Sequence, residues 1–149
     1  MSNNFQLQDS LGFTPLHIAA HRGNEKICKL FIDRMTDNQP KCNDGRTPLH
    51  VAAFEGHLGV CKLFVDHFES TDEYINPKDG RGWTPLHSAA FNGSIEVCHL
   101  LLKNVKDTKP KDSKGLTPLD VAKKGNQKST TAIFKSFYNK LRAQKKKGR

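Results

Sequence analysis

The chain is short of the features that mark several functional classes. No stretch of about 18 apolar residues occurs, which excludes a membrane-spanning helix. Met1 to Ser10 has neither a basic n-region nor an apolar h-region. No secretory signal is expected there, and the protein is expected in the cytoplasm, the nucleus or both. Cysteine is scarce. Cys28, Cys42, Cys61 and Cys98 form no C-x-x-C pair that a His pair could partner, so neither a disulfide framework nor a metal site is expected. No nucleophile elbow, phosphate-cradling glycine loop or H-E-x-x-H is present. Without such a constellation no enzyme and no cofactor is expected.

Charge is abundant but uneven. The 149 residues carry a net +9, yet residues 101–149 hold 15 basic and 3 acidic side chains, whereas residues 51–100 hold 3 basic and 7 acidic. Attraction to an acidic partner is therefore expected to be localised in the C-terminal third.

The dominant positive signal is internal repetition. Thr-Pro-Leu-His stands at 14–17, 47–50 and 84–87, and Thr-Pro-Leu-Asp at 117–120, giving spacings of 33, 37 and 33 residues. Two residues before each Thr is a glycine: Gly12, Gly45, Gly82 and Gly115. Six residues after each His is another: Gly23, Gly56 and Gly93. Aligned apolar clusters follow, each with a cysteine at the same place: Cys28, Cys61 and Cys98. Those thiols read as small buried hydrophobes.

The repeated unit dictates its own local structure. Thr14 can cap a helix by accepting a bond from a first-turn N–H. Pro15 sits where a missing N–H costs nothing. A short helix from Pro15 to about Arg22 then ends at Gly23, which tolerates left-handed φ. A longer helix is expected from about Asn24 to Arg34. One such helix–turn–helix cannot bury its apolar face alone; stacked neighbours bury it together.

These residues resemble the ankyrin repeat, whose signature reads D-x-x-G-x-T-P-L-H-x-A-A-x-x-G. Asp9 through Gly23 and Asp79 through Gly93 match it. The second unit has Cys42 where Asp is usual. The fourth has Asp120 in place of His, and Gly125 one residue early, which suits a capping repeat. The resemblance covers about residues 5–141. It implies an all-α ankyrin-repeat solenoid of stacked helix–turn–helix units with hairpin-like fingers, in repeats of about 9–41, 42–78, 79–111 and 112–141, followed by a basic tail at 142–149. It further implies that His17, His50 and His87 bond to backbone and Thr hydroxyl groups. Asn76, three residues before Asp79, falls where some members carry a hydroxylated Asn.

The resemblance also implies a concave, partner-binding face lined by fingers and first helices. The first repeat contributes Phe13, His21 and Arg22, and the second Asp44, Arg46, Phe54 and Glu55. The third contributes Arg81, Trp83, Phe91 and Asn92, and the fourth Lys114 and Leu116, with Lys123 and Lys124 on its helix. The rings Phe13, Phe54, Trp83 and Phe91 read either as interface hot spots or as covers for the finger–helix joint of their own repeat. Cys42 is expected on an exposed finger as a modifiable thiol. The four extra residues between the second and third repeats fall near Phe68–Ile75, with Glu69, Asp72 and Glu73. This stretch reads as a tolerated insertion or a functional loop.

After the apolar face of Ile133, Phe134, Phe137, Tyr138 and Leu141 comes a basic run: Lys140, Arg142, Lys145, Lys146, Lys147 and Arg149. It reads as a solubilising end, a nuclear import signal, or a binder of nucleic acid or anionic lipid, and its lack of aromatics argues against base stacking. The leading expectation is a monomeric protein–protein interaction scaffold. The alternatives are polyanion binding through the tail, or a fragment of a larger multi-domain protein.

Overall fold

The computed structural model describes residues 7–35, 39–69 and 71–148. Among them are nine α-helices and no strand. An inner row holds α1 (Pro15–Arg22), α3 (Pro48–Glu55), α6 (Pro85–Asn92) and α8 (Pro118–Lys124). An outer row holds α2 (Glu25–Asp33), α4 (Leu58–His67), α7 (Ile95–Asn104) and α9 (Lys128–Lys147). A one-turn helix, α5 (Asp72–Ile75), lies between the second and third repeats. Each helix packs on its counterpart in the next repeat, so the molecule is a solenoid.

The expected caps are present in full. Thr14, Thr47, Thr84 and Thr117 each accept the N–H three residues on, and the side chain there (His17, His50, His87 or Asp120) accepts the Thr N–H in return. Both free donors of the first turn are thereby satisfied. In the fourth repeat Gly125 is not left-handed. Asn126 takes that conformation instead, with φ 59°, so the register of the repeat is kept.

Small residues let the inner helices approach closely. Ala20, Ala52, Ala53, Ala89, Ala90 and Ala122 are fully buried, behind Leu16, Leu49 and Leu86. Cys28, Cys61 and Cys98 are fully buried in the same core. Burial pushes the Cys28 thiol up to about 11 and Cys98 up to about 12, and it raises Cys61 further. None of the three is a thiolate at neutral pH, and the thiolate is the reactive form.

Two expectations change. Cys42 is not exposed: it is buried at 6% exposure. It occupies the first finger position, which faces inward, as the buried Asp79 does one repeat later. The extra residues after α4 are integrated into the packing. Ile75 is fully buried, and Phe68 stacks between Phe64 and Tyr74. The Asp72 carboxylate accepts the N–H groups of Lys106 and Asp107, at 2.7 and 2.9 Å, just past the end of α7. The insertion thus clamps the second repeat to the third.

The basic run does not form a separate tail among the described residues. α9 continues without a break to Lys147, because Lys, Arg, Gln and Ala are all good helix formers and no Gly or Pro intervenes before Gly148. Its inner end is anchored by buried Phe134 and Tyr138, and the Tyr138 hydroxyl donates to the Thr108 carbonyl at 2.8 Å.

Candidate binding groove

Three sets of hydrogen bonds fix the repeats against one another. At the fingers, Asn43, Gly80 and Ser113 donate their backbone N–H to the carbonyls of Leu11, Asp44 and Arg81. At the inner helices, His17, His50 and His87 place Nε2 at 2.8, 2.7 and 2.9 Å from the carbonyls of Arg46, Trp83 and Leu116. At the inner–outer turns, His57 bonds the carbonyl of His21, Asn92 and Ser94 bond that of Phe54, and Gln127 bonds that of Phe91.

The histidine chemistry follows from its partners. Nδ1 of each faces a Thr backbone N–H, which can only donate, and Nε2 faces a carbonyl, which can only accept. The neutral Nε2–H tautomer is therefore required. Burial lowers the pKa of all three, His50 to about 4. His17 and His21 stand four residues apart on α1, but they do not converge: His17 is turned inward, while Nδ1 of His21 lies 3.3 Å from Glu55.

Held in this way, the fingers and inner helices enclose a groove of about 740 Å³. Nine of the sequence-identified residues line it. From the first repeat these are Phe13, His21 and Arg22, from the second Arg46, Phe54 and Glu55, and from the third Arg81, Trp83 and Phe91. The rings divide into two kinds. Phe13 and Trp83 are half-buried over their own joints, against His17 at 5.5 Å and His87 at 6.1 Å. Phe54 and Phe91 are exposed, at 37% and 40%, and stack on each other at 6.5 Å. Trp83 meets Phe91 at 5.4 Å, which joins the two kinds into one aromatic surface. Arginines cover its edges: Arg81 lies 3.9 Å from the Trp83 ring and Arg46 lies 5.3 Å from the Phe13 ring.

Six sequence-identified residues do not line the groove, among them Lys123 and Lys124 in the last turn of α8. The Asp44 carbonyl is bonded to Gly80 and its carboxylate is turned to Arg46. Asn92 is occupied by the Phe54 carbonyl. Lys114 and Leu116 lie on the fourth finger, beyond Trp83, whose Nε1–H is held by Asp112 at 3.0 Å. Conversely, Ile18, Val51 and Ser88 line the groove although the sequence reading did not select them. They follow the TPLH histidines, and on α1 the positions of Ile18, His21 and Arg22 share one helical face, which is the signal that could have found them.

The basic residues lie elsewhere. Lys140 borders a separate hollow of about 420 Å³ between α7 and α9, and Arg142, Lys145, Lys146 and Lys147 extend along the exposed end of α9. Arg149 lies outside the described residues. No group of three or more metal-ligating side chains converges among the described residues.

Compared with known proteins, the chain matches a family model described as ankyrin repeats (3 copies), over residues 1–75 and again over 66–143. No curated protein matches it.

Proposed function

Because the chain belongs to the ankyrin-repeat family, whose members generally mediate protein–protein interaction, we propose that it is a non-enzymatic scaffold that holds a partner protein in the groove of α1, α3, α6 and their fingers. One observation carries this reading: the exposed Phe54–Phe91 pair, continuous with Trp83 and bordered by arginines. Aromatic and Arg side chains are the usual sources of binding energy at protein interfaces, and large rings left exposed in a concavity mark an interaction site. The protein acts as a monomer in the cytoplasm or nucleus, where its free buried cysteines suit a reducing compartment.

The test is affinity capture with the intact protein and a Phe54→Ala, Trp83→Ala, Phe91→Ala variant shown to be folded by circular dichroism. Proteins retained by the first bait and lost by the second support the groove. Identical captures by both baits refute it.

A second reading rests on α9, which carries seven basic residues and no acidic one, none of them in an ion pair among the described residues. Such a helix suits a phosphate-rich polyanion. Binding of this kind weakens steeply with salt and depends on residues 140–149. Survival of binding after their deletion, with an unchanged salt slope, would end this reading.

A further inference from the structure

The groove itself narrows the chemistry of what it can hold. This step rests on the groove reading above and goes on to the character of the occupant. Three observations converge. The first is charge. Arg22, Arg46 and Arg81 line the groove against a single acid, Glu55, which is itself 3.3 Å from His21. The Arg22 side chain has no hydrogen bond or ion pair among the described residues. Arg46 meets Asp44 through one contact at 3.4 Å, and Arg81 meets Asp79 through one at 3.2 Å. Their guanidinium groups rest against the rings of Phe13 and Trp83, which leaves N–H edges free for a bidentate carboxylate.

The second observation is a polar notch in an apolar floor. Ile18, Val51 and Ser88 hold the same place on α1, α3 and α6. Ser88 is 3% exposed, and its hydroxyl makes no hydrogen bond among the described residues, although the residue borders the groove. The oxygen is not sealed from solvent, because Asn76 Oδ1 is the one buried side-chain acceptor without a partner among the described residues, so Ser88 offers an occupant of the groove a hydrogen-bonding group in place of water.

The third observation is size. Neighbouring helices pack about 10 Å apart, so the span from α1 to α6 is roughly 20 Å, or about six residues of extended chain. We infer that the groove takes an extended, acidic-flanked segment of the partner protein. Its apolar side chains rest on Phe54 and Phe91, a hydrogen-bonding group meets Ser88 Oγ, and its carboxylates meet Arg22 and Arg46.

The experiment is selection of phage-displayed random dodecapeptides on the intact chain. The recovered peptides are then measured by fluorescence anisotropy at low and high salt. The expected peptides pair an apolar centre with flanking Asp or Glu. Arg22→Gln with Arg46→Gln weakens them about fivefold and flattens their salt dependence. Ser88→Ala weakens them by a similar factor, about fivefold. Phe54→Ala with Phe91→Ala abolishes binding. Groove-dependent peptides without acidic residues, indifferent to both arginines, overturn this inference and leave the groove reading standing. Peptides indifferent to Phe54 and Phe91, or a selection that yields no groove-dependent sequence, overturn both. Should the double arginine variant not fold, the salt series on the unaltered chain decides: binding that does not weaken with salt overturns the inference.

Discussion

The Nε2–H of His50, in the second repeat, donates to the backbone carbonyl of Trp83, in the third, across 2.7 Å. One bond thus ties a buried histidine of the core to the residue that ends the groove. Core and groove edge are joined there, and charging His50 would put a proton on Nδ1, where it now accepts the Thr47 N–H.

Acid should therefore destabilise the fold in a definite window. In the unfolded chain each histidine titrates near 6.5, and in the fold burial lowers all three, His50 to about 4. Above 6.5 both states are neutral and stability is complete. As pH falls through 6.5, the unfolded chain takes up protons that the fold refuses, so stability drains until His50 itself protonates near 4. The melting temperature, followed by circular dichroism from about pH 7.5 to about pH 4.5, should fall throughout the lower part of this range. A flat profile would contradict it. Asp120 behaves oppositely: its bond from the Thr117 N–H holds it below 3.8, so its contribution is lost only at still lower pH.

Cys42→Asp should stabilise the protein. In the other three fingers the first-position carboxylate accepts two backbone N–H groups, as Asp79 does from Arg81 and Trp83. Around Cys42 the corresponding amides, Asp44 and Arg46, have no such acceptor. Supplying one should add about 1 kcal/mol and raise the melting temperature by about 3–5 °C. A lower melting temperature would count against the reading.

Two glycines of equal φ should differ in tolerance. Gly82 and Gly115 have φ of +77° and +78°. A Cβ on Gly82 would stand 2.7 Å from the Ser113 amide nitrogen, whereas one on Gly115 meets nothing within 4 Å. Gly115→Ala should cost about 1 kcal/mol, from backbone conformation alone. Gly82→Ala should cost more, because it also drives two fingers apart. Urea denaturation of the pair measures the difference, and equal midpoints would show that the finger contact contributes nothing.

Asp72→Ala should cost about 1–2 kcal/mol, since it strands the Lys106 and Asp107 amides. Glu73, exposed on the same turn, should tolerate alanine at no measurable cost. Similar effects at both positions would mean that the clamp across the repeats is not what holds the insertion.

Much of the fold was legible because its signals are local. The Thr cap, the Pro after it and the Gly six residues beyond His act within one turn of chain, so α1 runs from Pro15 to Arg22 as the sequence reads. Asp120 was legible as a cap and is now explained. It reproduces the Thr-directed half of the histidine's role, accepting from the Thr117 N–H and hydroxyl, but it has no donor to extend to a further repeat. Ser88 shares a helical face with Phe91, three residues on, but a small polar residue there carries none of the usual marks of an interface. Cys42 was misplaced because an Asp-to-Cys exchange at a finger reads as exposed polarity, although that position turns inward.

The sequence alone therefore determined the repeat, its register and its helix ends, since these depend on bonds between residues three or four apart. The tertiary structure decided which side chains from different repeats meet. Phe54 faces Phe91, Arg46 lies over Phe13, and Asp72 reaches the end of α7. Those meetings depend on how far each repeat is shifted and turned against the next, and that is set by close packing of alanines and by the interrepeat bonds of His17, His50 and His87.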